Sequence, residues 1–228
     1  LNRKLRSGES LLYSWRLGLG SDFVSLMAYY LASPLNLLLF LFPESILKEI
    51  FTLFILIKTG LAGSLCAYAL IMINEKKEEN RGNKGNQRAL EIPESDKRRW
   101  GVILFSTFYA LCGWNIGYYW NLMWLDTFAL LPLVALGIYL LVKEKRFKLY
   151  TLSLALAILA NYYIGLMVCI FTAVFFFTKC FIRQNNRKEL WKNLKNIMLY
   201  SILAILMSAA ATLPTMITLG HAYKSNSG

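Results

Sequence analysis

Trp120-Asn121-Leu122-Met123-Trp124-Leu125-Asp126 decides the fold, because Asp126 is the only formally charged side chain between Trp100 and Lys143. The apolar runs on both sides are long enough to enter a bilayer. A carboxylate near hydrocarbon costs about 2.5–3.5 kcal/mol on insertion scales, so such an acid faces a protein interior or a water-filled cavity and is a candidate site residue.

Composition agrees with that placement. The 228 residues are 57% hydrophobic and 14% aromatic, too apolar for a soluble domain of this length. The formal net charge of +12 is gathered into clusters between apolar spans. Such clustering is a topology signal, not the basic face that binds nucleic acid, so no nucleic-acid partner is expected. Cys66, Cys112, Cys169 and Cys180 lie in or beside apolar runs, with no CxxC and no neighbouring His. Neither a zinc site nor a disulfide framework is indicated. The chain opens at Leu1 without a leader and stops just after a span, as an excised part of a longer membrane protein would.

A membrane helix needs about 20 mostly apolar residues. The expected fold is therefore all-α, a polytopic transmembrane bundle with spans at 46–73, 101–120, 127–142 and 198–219 and a hairpin at 149–178. The hairpin turns at Asn161-Tyr162-Tyr163, which interrupts an uncharged segment too long for one crossing. Residues 1–45 form part of an outer loop with interfacial helices, 74–100 read as a disordered linker, and 220–228 begin another outer segment. The Lys/Arg clusters in 74–100, 143–148 and 179–195 place those connections in the cytoplasm. Asn121, Asp126 and Asn161 then lie on the outer side. A span limited to 127–142 covers only about 24 Å, so its start would be recessed and Asp126 would share an outward cavity with Asn161.

Two charges carry the site reading. Lys58 is the only charge between Ile50 and Ile73 and sits too deep to reach either interface easily, so it pairs with Asp126 or holds a phosphate. Asp126 also precedes Thr127, where the ordinary role of an Asp is the helix N-cap. Trp120 and Trp124 suit stacking on a sugar ring as well as interfacial anchoring. Arg16, with Gly18, Gly20 and Asp22, lies in an outer loop whose backbone N–H groups could meet an anion, though GxG is most often a turn. No Ser-His-Asp arrangement, P-loop or HExxH is present, and no metal ligand set is read.

Several ordered blocks carry a resemblance. They are Tyr13-Ser14-Trp15 with Gly18-Leu19-Gly20, Tyr29-Tyr30-Leu31-Ala32-Ser33-Pro34-Leu35-Asn36, Lys58-Thr59-Gly60-Leu61-Ala62-Gly63, the Trp120–Asp126 stretch with Leu131-Pro132-Leu133, and Asn161-Tyr162-Tyr163-Ile164-Gly165. Together they resemble the YfhO family of bacterial membrane proteins, itself similar to the GT-C glycosyltransferases. The resemblance implies transfer of a sugar from a polyprenyl-phosphate carrier to a teichoic-acid-type envelope polymer on the outer face of the plasma membrane. The implied partners are membrane lipid, the lipid-linked sugar and the polymer acceptor. No cofactor is implied with certainty, and a divalent metal is compatible but has no motif behind it. The family's catalytic acid is expected upstream of Leu1, with Asp22 and Asp126 as the acids within the chain that could substitute. Lys58, Asn121, Trp124, Asp126, Asn161, Tyr162, Arg16 and Tyr30 are the expected substrate-binding residues. A polyprenyl-lipid transporter or flippase, and a non-catalytic assembly protein, are the rival readings.

Overall fold

Pro43 stops one apolar run and the next residues open another, rich in Leu, Ile and Ala with a single charge, which favours one long helix. In the computed structural model, which describes 13–14, 21–22, 33–82, 93–183 and 187–225, that helix is α2 (Leu47–Gly82). Before it come α1 (Pro34–Leu37) and two short 3₁₀ turns, Leu38–Leu41 and Glu44–Ile46. After it follow α3 (Pro93–Ala110), α4 (Gly113–Gly117), α5 (Leu122–Glu144), α6 (Lys148–Ala160), α7 (Tyr162–Arg183) and α8 (Arg187–Ser225). The only strands among the described residues are the two-residue antiparallel pair β1 (Tyr13–Ser14) and β2 (Ser21–Asp22). The protein is thus a helical bundle, and three of its described helices, within Leu47–Glu79, Leu122–Glu144 and Tyr162–Lys179, are long and apolar enough to cross a membrane.

Helix α5 is the centre of the bundle and packs against α2, α6, α7 and α8, while α3 lies against α2. One core cluster joins Val134, Ile138 and Leu141 of α5 to Tyr150 and Leu154 of α6, Phe176 of α7 and Ala204 of α8. A second sets Ala69 of α2 against Leu136 and Tyr139 of α5. Small residues let these backbones approach, as in other membrane bundles. A Cβ at Gly137 would stand 2.6 Å from the Tyr150 Cα, and one at Gly165 would stand 2.8 Å from the Ile158 Cα. The outward faces of α3, α7 and α8 carry exposed Phe105, Phe108, Ile170, Val174, Leu199 and Ile202, as lipid contact requires.

The structure corrects the sequence-based boundaries in four places. First, α5 begins at Leu122, not Thr127, and its 23 residues span about 34 Å, a full crossing. Asp126 is therefore inside the second turn and is not the N-cap, which is Asn121. Second, the expected span 101–120 is broken: α3 ends at Ala110 and α4 is a separate five-residue turn. The Asn115 side-chain amide donates to the Ala110 carbonyl at 2.6 Å, ending α3. Third, 74–100 is helical up to Gly82 and again from Pro93, with 83–92 outside the described residues. Charge pairs support those ends: Lys76 with Glu79 at 2.9 Å, and Arg98 with Glu78 across α2 and α3. Fourth, the last helix starts at Arg187 and stays helical through 220–225 instead of opening an outer segment at 220.

Candidate functional site

The lone Lys of α2 and the lone Asp of α5 meet. The Lys58 ammonium lies 2.6 Å from Asp126 Oδ2, and it donates further to the Leu122 carbonyl at 3.0 Å and to Asn36 Oδ1 at 2.5 Å. All three N–H bonds of the ammonium are thus committed. Lys58 is 1% exposed, Asp126 5% and Asn36 2%, so protein seals the group from both lipid and water. This replaces the expected outward cavity: the charge of Asp126 is answered by Lys58 and needs no water. Of the two roles open to Lys58, the structure shows the pairing, with no N–H left for a phosphate.

Asn36 was not among the expected site residues. It is the only polar side chain in 34–42, and that solitude was the available signal. Through it the knot ties α1 to α2 and α5. Beside it, Leu39, Phe42, Ile50 and Phe51 pack on buried Phe54, Leu122 and Leu125. One oxygen, Asp126 Oδ1, remains buried without a hydrogen-bond partner.

At the same end of the bundle α6 turns into α7. Asn161 ends α6 in extended backbone, φ −158°, and its Oδ1 accepts the Ile164 N–H at 3.0 Å, so it caps α7. The Thr127 hydroxyl donates to the Ala157 carbonyl at 3.0 Å, which fixes the turn against α5. Asp126 and Asn161 are therefore on neighbouring elements, as part of two separate hydrogen-bond groups. Tyr162 is half-buried and Asn121 starts α5 without a side-chain cap bond.

Between these groups lies an aromatic shelf. Trp124 has ring centroids 5.5 Å from Tyr118, 6.3 Å from Tyr163 and 6.4 Å from Trp114, so α4, α5 and α7 each contribute. The shelf continues through Phe128, 4.9 Å from Trp114 and 4.5 Å from Tyr109. Tyr118, Tyr119, Trp120 and Tyr163 keep large exposed faces. Trp114 and Tyr118 were missed in the sequence, where the repeated Trp-Asn pair at 114–115 and 120–121 was the one signal.

Pro132 explains the position of Tyr109. Proline has no N–H, so the carbonyl four residues earlier loses its helical donor. That carbonyl belongs to Phe128, and the Tyr109 hydroxyl donates to it at 2.6 Å. The broken α3–α4 region is thereby locked onto α5.

Arg16 and Tyr30 lie outside the described residues, and Asp22 is described only as backbone in β2. Among the described residues no group of His, Cys, Asp and Glu side chains is arranged to hold a metal ion. Neither the curated proteins nor the solved structures contain a match to the chain. A family model described as bacterial membrane protein YfhO matches residues 1–82 and 88–227, which include every element of the site. A match over nearly the whole length, joined to a helical bundle with membrane-crossing helices, shows that the chain belongs to the YfhO family of bacterial membrane proteins.

Proposed function

We propose that this bundle is the membrane core of a glycosyltransferase that takes a sugar from a polyprenyl-phosphate carrier and passes it to an envelope polymer. The observation that carries the reading is the shelf of Trp114, Tyr118, Trp124 and Tyr163 beside the sealed Lys58–Asp126 pair. Stacked rings with exposed faces at a bundle end suit the apolar face of a sugar whose lipid tail stays in the bilayer. The shelf also lies opposite the Lys/Arg-rich end, which the positive-inside rule assigns to the cytoplasm, so the sugar would be handled outside.

In the transfer, the bond between the sugar's anomeric carbon and the carrier phosphate oxygen breaks, and a bond from that carbon to the acceptor hydroxyl oxygen forms. A carboxylate takes the hydroxyl proton and the polyprenyl phosphate leaves with the electron pair. Asp126 is held by Lys58 and is better suited to fixing α1 and α5 than to that task. The N-terminal segment, where Asp22 lies, is the part of the chain from which a proton acceptor is expected.

The test is sugar content of the envelope polymer in cells that depend on the full-length chain carrying W124A and Y163A. Loss of two stacking rings lowers transfer roughly tenfold at an unchanged membrane level of the protein. Wild-type sugar content in that variant contradicts the reading. Loss of carrier translocation, with transfer from externally supplied carrier intact, favours the transporter instead.

A further inference from the structure

The opposite end of the bundle holds a second polar arrangement that the proposed reaction does not use. Helix α5 ends in a left-handed turn at Lys145, φ 58°, and α6 starts three residues later. The turn is docked on α8: Lys145 donates to Asn193 Oδ1, and the Phe147 ring stacks on Tyr200 at 4.5 Å and 2°. Asn193 is only 2% exposed, yet its amide nitrogen Nδ2 is buried without a hydrogen-bond partner. Because Oδ1 faces Lys145, the orphaned donor lies at this same junction.

An unpaired buried N–H group costs about 1–3 kcal/mol, so a donor left open here points to an acceptor that arrives from outside. The surroundings specify a negative one. Lys143, Lys145, Arg146 and Lys148 on the turn face Arg187, Lys188, Lys192 and Lys195 on α8. Their acidic neighbours are Glu144, already engaged by Lys76 at 3.3 Å and Arg146 at 3.6 Å, and Glu189 in the first turn of α8. Lys145 has one ammonium N–H beyond its bonds to Asn193 and the Val142 carbonyl, and Lys148 is exposed. Trp191 is exposed beside the basic residues of α8, and Met198, Leu199 and Ile202 continue along its outer face. Cations and an interfacial Trp above an apolar track are the surface of a lipid, not of a soluble anion.

We propose that the junction of the α5–α6 turn with α8 is a binding site for the phosphodiester headgroup of an anionic phospholipid. Asn193 Nδ2 and the Lys145 and Lys148 ammonium groups supply the donors, and the outer face of α8 carries an acyl chain.

Native mass spectrometry of the full-length chain, released from nanodiscs of mixed phosphatidylglycerol and phosphatidylcholine, tests this. Wild type retains phosphatidylglycerol in preference to phosphatidylcholine. N193D keeps the acceptor for Lys145 but turns the orphaned donor into an acceptor, and retention falls roughly tenfold. K145A/K148A lowers it at least as far. K97A/R99A, which removes equal charge from α3 at the same end, leaves it unchanged. Equal loss in K97A/R99A, full retention in N193D, or displacement of the lipid by inorganic phosphate or by an acidic peptide each overturns the proposal.

Discussion

Lys58→Met removes one half of a sealed ion pair, and its cost follows from what is left behind. Asp126 then keeps a full charge at 5% exposure, with Oδ1 already unpartnered and Oδ2 newly so. Asn36 and the Leu122 carbonyl lose their donor as well. Breaking a buried pair from one side costs about 3–5 kcal/mol. Asp126→Asn strands the ammonium instead and should fall in the same range. The double variant K58M/D126L removes both charges at similar volume, and such replacements run from neutral to about 4 kcal/mol stabilising. The cycle should therefore be strongly non-additive, with a coupling of at least about 3 kcal/mol. Unfolding of the purified chain in mixed micelles, titrated with SDS and followed by Trp fluorescence, measures each variant. Single variants that cost under about 1 kcal/mol each and add in the double would refute the buried pair.

Other substitutions test the remaining links. Gly137→Ala pushes a Cβ to 2.6 Å from the Tyr150 Cα and should cost about 1–3 kcal/mol in the same unfolding assay, whereas Gly60→Ala, with open space around it, should stabilise by up to about 1 kcal/mol. Tyr109→Phe strands the Phe128 carbonyl at a cost of about 1–3 kcal/mol, and adding Pro132→Ala should recover part of it by restoring the helical N–H. Asn161→Ala removes the α7 cap and should lower stability by about 0.5–2 kcal/mol, with Asn161→Asp retaining most of it. Cysteines placed at Asn121 and Asn83 should label from opposite sides of the membrane with an impermeant thiol reagent, and labelling from one side only would reverse the proposed orientation.

The crossings were legible where one physical signal dominated. The long uncharged run at 149–178 has to turn at its only polar interruption, and the structure turns at Asn161. Lys58 and Asp126 stood out because each is alone in an apolar run, and opposite charges at membrane depth seek each other. The helix starts were not legible, because the true start of α5 depends on a partner from another helix. Only once Lys58 neutralises Asp126 can the helix begin five residues before Thr127 and enclose the acid. The break after Ala110 was hidden for a similar reason: Gly113 is a weak signal, and the contacts that settle it, Asn115 to Ala110 and Tyr109 to Phe128, are tertiary. Asn36 was read as part of an interfacial segment because nothing local shows that it reaches a lysine 22 residues away. The helical extension to Gly82 came from charged residues that suggest a solvated linker when read without their partners on α3 and α5.

The aromatic shelf is the part of the structure on which the functional reading rests, and photo-crosslinking tests it most directly. A polyprenyl-phosphate sugar carrying a photoreactive group on the sugar, applied to the full-length chain in membranes, should label 114–124 and Tyr163, and unlabelled carrier should compete the label away. Labelling spread over the lipid-facing residues of α3 and α8, or label at the shelf that excess carrier leaves in place, would contradict a sugar site there.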